Sequence, residues 1–296
     1  MKDNKGLLYL MLSGLFISTS PLFAQHLVKS VPVQMLMLLW FVSAAAVSTA
    51  IVVIYQKLNP LTYFKNNWKE GLILGFVNAL ATGLWFTSIS LIGASLTTFL
   101  LRFMTIFLIG FGIIFLRERL GIQEIIGAII AIAGAFLINF ETDNLLISGT
   151  LIALLAAFVI AVQEFIGKIY VARIKPVALT SMRTVFTLPF LLVFAAATGS
   201  ISTVSSGNLT LIIIGSTLSA AIGFIFWYKA LETTDVSKAA IIRTLDPFIV
   251  LAYAFMIFRT TPNIPELIGG TLIVAGVILS ELKLGKVKDA LKILSL

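Results

Sequence analysis

Long apolar runs, separated by short polar breaks, occupy almost the whole chain. They number ten and lie at 6–28, 33–55, 71–89, 94–116, 122–140, 149–170, 177–198, 209–231, 237–258 and 264–282. A helix needs roughly 20 apolar residues to cross the hydrocarbon core of a bilayer, and each run has about that length. Transmembrane strands would be about 10 residues long and would alternate in hydrophobicity, which these runs do not. The pattern therefore predicts an all-α integral membrane protein with ten transmembrane helices.

The composition supports the membrane prediction. Of the 296 residues, 59% are apolar and 11% are charged, whereas soluble domains are about 45–50% apolar and about 25% charged. So little charge excludes an ordinary soluble enzyme, a disordered chain and a collagen-like fibre. The first run follows Lys2 and Lys5 and so resembles a signal peptide, but it is longer than a signal h-region and no A-x-A site closes it. We therefore interpret it as a span.

Positive charge is distributed unevenly between the two sides of the predicted membrane. With the N-terminus placed inside, 16 Lys and Arg residues fall in inner segments, 2 in outer loops and 3 within spans. Cytoplasmic loops carry such an excess, so we expect both termini in the cytoplasm and the chain in the plasma (inner) membrane. The formal charge of +8 is then a topology signal, and we expect no nucleic-acid partner.

The two halves of the chain align at a fixed offset of 142 residues. The matched positions include Trp85 with Trp227, Arg117 with Arg259, Glu124 with Glu266, and Gly127 with Gly269. Chance similarity between apolar helices is the alternative, but paired Trp, Arg, Glu and Gly in one register argue against it. We expect five-helix repeats at 1–140 and 148–284 and a cytoplasmic tail at 285–296. Because five is odd, the second repeat is inverted, which is typical of secondary transporters with a site between the halves.

Five ionisable side chains lie well inside the predicted spans: Arg102, Glu164, Arg183, Arg243 and Asp246. Each costs about 2.5–3.5 kcal/mol on insertion scales, so each is a functional hypothesis. Asp246 lies near the midplane and precedes Pro247, which disfavours helical geometry at Asp246. A broken helix with a carboxylate here suits an ion or substrate site. The alternative is a structural pair between Arg243 and Asp246 at i, i+3.

Glu164 is the second candidate for ion coupling, beside Asp246, because an unpaired carboxylate in a membrane is a candidate proton carrier. The alternative is a structural pair with Lys168 at i, i+4 or with Arg183 across the hairpin. Three arginines face two acids inside the spans, so pairing leaves one cation. Arg102 has no acid in its own helix, and a substrate carboxylate or phosphate suits its guanidinium. The alternative is that Arg102 contacts an outer-loop acid or a backbone carbonyl.

Neutral side chains add further binding candidates. Trp85 is predicted to line a cavity and to stack on a planar or cationic substrate. Its repeat mate Trp227 lies near the inner surface and is predicted to be an interfacial anchor. Asn78, Gln25 and Gln163 lie in spans and are candidates for hydrogen bonds to a polar ligand, although such groups also join helices together.

Several function classes lack their sequence signatures in this chain. No Walker A loop, zincin helix or G-x-S-x-G elbow occurs. With no cysteine and one histidine, we expect no catalytic residue, no metal site and no cofactor. No filter-like motif or ring of acids indicates a channel. A membrane-embedded enzyme and a non-transporting scaffold remain the alternatives to a transporter.

The ends of the two repeats carry the most specific motifs. They are Phe115-Leu-Arg-Glu-Arg-Leu-Gly-Ile-Gln-Glu-Ile-Ile-Gly127 with Gly134, and Ile264-Pro-Glu-Leu-Ile-Gly-Gly270 with Gly276. With ten helices and a five-plus-five repeat, the sequence resembles the EamA-like family of the drug/metabolite transporter superfamily over nearly the whole chain. Glu118 and Pro247 match the family pattern, whereas Thr260 and Thr105 depart from it in the opposite halves.

The resemblance implies a secondary active transporter or exchanger that works by alternating access. Its implied substrate is a small metabolite, such as an amino acid, an organic anion or a drug-like compound, and its implied direction is export. The resemblance also implies that the glycine-rich fifth and tenth helices either join the two halves or mediate a homodimer.

Overall fold

The computed structural model describes residues 2–57, 59–138, 147–259 and 264–281. Within these ranges every regular element is helical, as the apolar pattern predicts. The predicted tail at 285–296 lies outside the described residues, as does Thr260.

The helices of the first half follow the predicted runs. They are α1 (Lys2–Ile17), α2 (Ser20–Leu27), α3 (Val33–Ile51), α4 (Pro60–Asn66), α5 (Trp68–Leu100), α6 (Phe103–Leu116) and α7 (Ile122–Ile138). A π-helical turn at Val52–Gln56 extends α3. Helix α5 is kinked at Gly93, where φ is 77° and ψ is 167°, a conformation that glycine adopts without a steric penalty. The kink lies between the third and fourth predicted spans.

The helices of the second half are interrupted at two places. They are α8 (Ile147–Val171), α9 (Pro176–Ala197), α10 (Ser206–Ser216), α11 (Phe224–Leu231), α12 (Val236–Ile242), α13 (Asp246–Phe258) and α14 (Ile264–Glu281). A π-helical segment at Thr217–Gly223 joins α10 to α11, and a 3₁₀ turn at Arg243–Leu245 joins α12 to α13.

Seven helical stretches in the described part of the chain are long and apolar enough to cross a membrane. They are Lys5–Leu27, Val33–Gln56, Trp68–Gly93, Ile147–Val171, Pro176–Ala197, Ser206–Leu231 and Val236–Ile257. The other three predicted spans coincide with shorter apolar helices at Phe103–Leu116, Ile122–Gly134 and Leu267–Ser280. Large apolar side chains such as Ile114, Phe115 and Val193 are exposed on these helices, where a bilayer would cover them. The chain is therefore an integral membrane protein.

Helices α7 and α14 join the two halves through glycine. A Cβ atom built on Gly127 would lie 2.5 Å from the carbonyl oxygen of Gly276, and one built on Gly276 would lie 2.5 Å from the oxygen of Gly127. A Cβ atom on Gly134 would likewise lie 2.5 Å from the oxygen of Gly269. The missing side chains let the two backbones touch, as in other membrane helix pairs. The resemblance implies that these helices either join the two halves or mediate a homodimer, and the contact observed here joins the halves.

The prediction that Asp246 leaves helical geometry is wrong. Its φ of −51° and ψ of −46° are helical, and it is the first residue of α13. Pro247 therefore lies in the first turn of a helix, where its missing N–H leaves no bond unmade. The break lies just before Asp246, at the 3₁₀ turn Arg243–Leu245.

Candidate functional site

A cavity of about 160 Å³ lies between the two halves of the chain. Its walls come from both halves: α1, α2, α3, α5 and α6 in the first, and α8, α9, α11 and α13 in the second. Seven of the eight predicted site residues line it, namely Asn78, Trp85, Arg102, Gln163, Glu164, Arg243 and Asp246. The eighth, Gln25, is exposed on α2 and does not line the cavity.

Arg243 binds both carboxylates of the cavity. Its Nη1 lies 2.8 Å from Oε1 of Glu164, and its Nε lies 3.2 Å from Oδ2 of Asp246. The i, i+3 pair that the sequence left as an alternative therefore forms. The pair between Glu164 and Lys168 does not, because the Lys168 ammonium donates instead to the carbonyl oxygen of Leu231 at 2.7 Å.

Each of these carboxylates keeps one oxygen without a partner. Oε2 of Glu164 and Oδ1 of Asp246 are buried and accept no hydrogen bond from the described residues. A buried acceptor that lacks a donor costs free energy, so such atoms are rare unless a ligand, a proton or water completes them. The two orphan oxygens mark the acidic side of the cavity as a site for a cation or a donor group.

Arg102 lines the cavity and lacks a carboxylate partner among the described residues. Its Nε donates to the carbonyl oxygen of Thr98 at 3.1 Å, so the backbone-carbonyl alternative is the one observed. The residue is 7% exposed. The cavity therefore has a buried guanidinium whose charge no described side chain neutralises by direct contact.

Arg183 is a cavity residue that the sequence placed inside a span without assigning it to the site. Its Nη1 donates to Oδ1 of Asn78 at 2.7 Å, and its Nη2 donates to the carbonyl oxygen of Ala220 at 2.6 Å. Its guanidinium carbon lies 3.6 Å from the centroid of the Phe224 ring. Ala220 belongs to the π-helical segment, and such segments often lie at functional sites. The signal that marked Arg183 was its cost inside a membrane.

Asn78 holds Arg183 in place. Its Nδ2 also donates to Oγ1 of Thr187 at 2.8 Å, so both ends of the amide already have protein partners. Asn78 thus orients a charged group of the cavity, and its predicted role as a direct ligand to substrate has no support from these contacts.

The two tryptophans that match in the repeat differ in position. Trp85 lines the cavity, with its ring centroid 4.6 Å from that of Phe86. Trp227 is fully buried, and the Arg243 guanidinium carbon lies 4.7 Å from its ring centroid. The prediction that Trp227 anchors at the interface is therefore wrong: its indole packs over the buried cation.

Two of the three cavity arginines, Arg102 and Arg243, lie where a helix is interrupted. Helix α5 ends at Leu100 and α6 begins at Phe103, and the second break is Arg243–Leu245. At the offset of 142 residues, Leu101 and Arg102 correspond to Arg243 and Thr244. The two breaks thus occupy matching positions in the two halves of the chain.

The charged groups around the cavity are three arginines and two acids, a formal excess of one positive charge. In the part of the chain that the structure describes, no group of three or more His, Asp or Glu side chains is placed to hold a metal ion. The arrangement suits a small anion or a zwitterion, whose carboxylate would neutralise the excess charge.

Known proteins resemble this chain in sequence and in fold. A curated protein from Streptantibioticus cattleyicolor, named a probable terminal-alkyne amino-acid exporter, is 30% identical over 205 residues, which is 67% of each chain. An uncharacterized transporter from Archaeoglobus fulgidus is 24% identical over 189 residues, covering 63% of this chain and 67% of the relative. A crystal structure of a protein 19% identical in sequence superposes with a TM-score of 0.78 over 94% of this chain and 96% of the other, so the fold is shared.

The model of the EamA-like transporter family matches residues 4–140 and 147–282. Together with the named relatives, this match points to a transporter and away from an enzyme. The chain belongs to the EamA-like transporter family.

Proposed function

We propose that this protein is a secondary transporter or exchanger that exports a small carboxylate-bearing metabolite, with amino acids as the favoured class. The observation that carries the proposal is Arg102, a buried guanidinium at a cavity between the halves with no carboxylate partner among the described residues. A substrate carboxylate supplies the missing negative charge and binds a guanidinium through two parallel hydrogen bonds. Helix α6 begins next to Arg102, and the positive end of its dipole favours the same anion.

An amino acid also brings an ammonium group, and the cavity has a place for it. The orphan oxygens of Glu164 and Asp246 are acceptors without donors, and both residues line the cavity that contains Arg102. The relative from Streptantibioticus cattleyicolor carries the name of an amino-acid exporter, which supports the same class. The cavity, at about 160 Å³, is smaller than the roughly 300–1,000 Å³ of pockets for drug-sized ligands, so it favours a small metabolite over a large drug.

The transport mechanism we propose is alternating access between two inverted five-helix repeats, at 1–140 and 148–284. The 142-residue register supports the repeats, as does the separate match of the family model to each half. The glycine contacts add reciprocal evidence, because Gly127 meets Gly276 while Gly134 meets Gly269. In that register Gly127 corresponds to Gly269 and Gly134 to Gly276, so each contact is the image of the other under a two-fold exchange of the halves.

The topology we propose has ten spans with both termini in the cytoplasm and the protein in the plasma membrane. Seven long apolar helices and three shorter ones support the number of spans. The excess of 16 inner over 2 outer Lys and Arg residues supports the orientation.

For ion coupling we propose Glu164 and Asp246 as the proton-carrying groups. Protonation of either acid weakens its bond to Arg243, whose Nη1 and Nε hold one oxygen of each. Releasing that guanidinium changes the charge that the substrate meets, which couples proton and substrate binding at one site.

Counterflow in proteoliposomes tests the function. Vesicles loaded with an unlabelled amino acid are diluted into labelled amino acid, and a panel of amino acids, organic acids and sugar phosphates is screened in turn. We expect saturable counterflow that falls in Arg102→Ala and Asp246→Ala while membrane insertion is kept. A charge-assisted hydrogen bond contributes about 1.5–3 kcal/mol, so substrate affinity of Arg102→Ala falls by about 10- to 150-fold.

Gln25→Ala is the matched control, because Gln25 lies in a span outside the cavity. Its counterflow should equal that of the original chain. Wild-type flux in both Arg102→Ala and Asp246→Ala contradicts the assignment of the site, and flux at channel rates without counterflow contradicts alternating access.

A further inference from the structure

A carboxylate of the first half caps a helix of the second half. Oε1 of Glu118 accepts the backbone N–H of Val236 at 2.8 Å, and Oε2 accepts that of Ser237 at 2.9 Å. Both N–H groups belong to the first turn of α12, where no bond within the helix is available to them. Ser237 Oγ also donates to the carbonyl oxygen of Ile109 on α6 at 3.4 Å. The start of α12 is thus bound to the first half at two places.

This cap is supplied from far along the chain although a local residue is available. Asp235 precedes α12, and Asp is among the residues that most often cap a helix with their own side chain. The Asp235 side chain makes no capping bond in this structure. Because Glu118 takes that role, the N–H groups of Val236 and Ser237 keep these acceptors only while Glu118, in the first half, stays beside the start of α12.

A second group fixes the turn that precedes α12. The Lys168 ammonium donates to the carbonyl oxygens of Leu231 at 2.7 Å and Thr234 at 2.8 Å. Leu231 is the last residue of α11, whose final carbonyls lack partners within the helix, and Thr234 lies in the turn before α12. Lys168 therefore holds the turn between α11 and α12 against α8, with the first turn of α12 presented to Glu118.

Lys168 comes from α8, a helix that also lines the cavity. Lys168 is one helical turn from Glu164 on α8, a rise of about 6 Å, and Glu164 lines the cavity. The side chains of Tyr228 and Leu231 on α11 and of Val236 at the start of α12 are fully buried. Tightly packed side chains therefore surround the segment that Lys168 and Glu118 bind.

The sequence makes this arrangement asymmetric. At the offset of 142 residues Glu118 corresponds to Thr260, and the pair Val236–Ser237 corresponds to Ala94–Ser95. Threonine has no carboxylate with which to accept two N–H groups at once. The two-bond cap is thus encoded in one half of the chain only, on the side where Lys and Arg accumulate.

We propose that Glu118 is a gating residue: its two bonds to the start of α12 latch the cavity shut on the side rich in Lys and Arg, and opening that side requires them to break. The proposal rests on the alternating-access function proposed above. The latch favours the state that is closed on that side, and substrate can leave on that side only after the two hydrogen bonds of Glu118 have broken.

The distance between spin labels across the latch tests the proposal. The chain has no cysteine, so a double variant with Arg119→Cys and Glu232→Cys accepts labels at these two exposed positions only. Double electron–electron resonance on the full chain in nanodiscs then reports the fractions of short and long distances. In Glu118→Gln the ratio of long to short distances should rise about tenfold, which corresponds to about 1.4 kcal/mol.

Glu124→Gln is the matched control, because among the described residues its carboxylate accepts the N–H of Gly121 in its own segment, at 2.6 Å, and no N–H of α12. Its distance distribution should equal that of the labelled parent. If Glu118→Gln does not yield a folded protein, Glu118→Asp keeps the charge but is one methylene too short to reach both N–H groups. It should give a smaller shift in the same direction.

A distribution unchanged by Glu118→Gln or by Glu118→Asp overturns the latch. An equal shift in Glu124→Gln overturns it as well, because lost charge alone then explains the result. The measurement needs no substrate. A shift in the distances without counterflow would therefore support the latch and contradict the transport function. Counterflow without a shift would support the transport function and contradict the latch.

Discussion

Alanine at Gly127 would place a methyl group where the backbone of α14 already lies. The added carbon would sit 2.5 Å from the carbonyl oxygen of Gly276 and 2.8 Å from the backbone nitrogen of Ser280. These atoms belong to a helix backbone and have no flexible end that could turn aside. The halves must therefore separate locally or the helices must slide, and either change loosens the contact between α7 and α14.

The size of the effect follows from overpacking in well-packed interiors, which costs about 1–3 kcal/mol. With about 2–4 °C of melting temperature per kcal/mol for a chain of roughly this size, Gly127→Ala should lower the Tm by roughly 2–12 °C. Gly276→Ala should give a similar loss, because its Cβ atom would meet the Gly127 oxygen at 2.5 Å. The double variant should lose less than the sum of the two, since both changes open the same contact.

Thermal unfolding of the purified protein, followed by size-exclusion chromatography after heating, measures this Tm. Gly110→Ala on α6 is the matched control, because a Cβ atom there would meet nothing within 4 Å. Alanine favours the helix over glycine by about 0.8–1.0 kcal/mol, so the control should keep or raise the Tm. A Gly127→Ala protein as stable as Gly110→Ala would refute the view that this glycine contact joins the halves.

Further predictions concern the cavity. Arg183→Gln removes the bonds to Asn78 and Ala220, so counterflow should fall at least tenfold with a lower Tm, whereas an unchanged Tm would contradict its buried role. Trp227→Ala should lower the Tm strongly, because losing a fully buried Trp costs about 3–5 kcal/mol. Trp227→Phe keeps a ring beside Arg243, so its Tm should fall less. Equal losses of Tm in the two variants would contradict the ring contact. Glu164→Gln should flatten the pH dependence of counterflow, and an unchanged pH profile would exclude Glu164 as the proton carrier.

The order of the apolar runs predicted where the helices lie, because the bilayer imposes one length and one hydrogen-bonding solution on each span. The same reasoning selected the buried ionisable groups, since charge inside a membrane is too costly to be incidental. It selected Arg102, Glu164 and Asp246 as candidates, and in the structure all three line one cavity. Gln25 does not line the cavity. A neutral amide in a span indicates a binding site much less strongly than a charged group does.

The partners of these groups could not be predicted in the same way. Glu164 binds Arg243, which is 79 residues away, whereas the sequence offered Lys168 on the same helix. Periodicity ranks neighbours along one helix, but it carries no information on which helix packs beside it. Trp227 was misplaced for the same reason, because its distance from the end of a span did not reveal the helices that cover it. Asp246 was misjudged because Pro247 fits the first turn of a helix as well as it breaks an interior one.

The single guanidinium of Arg243 has a mechanical consequence. It holds Glu164 on α8 and Asp246 at the start of α13 at once, and pulling these helices apart would strand a buried carboxylate at a cost of about 3–5 kcal/mol. We therefore expect α8 and the first residue of α13 to stay close together when the protein changes shape, as long as both acids are ionised. A proton on either acid would weaken this contact, so under the function proposed above the atoms that bind the substrate would also control how firmly the two helices are held together.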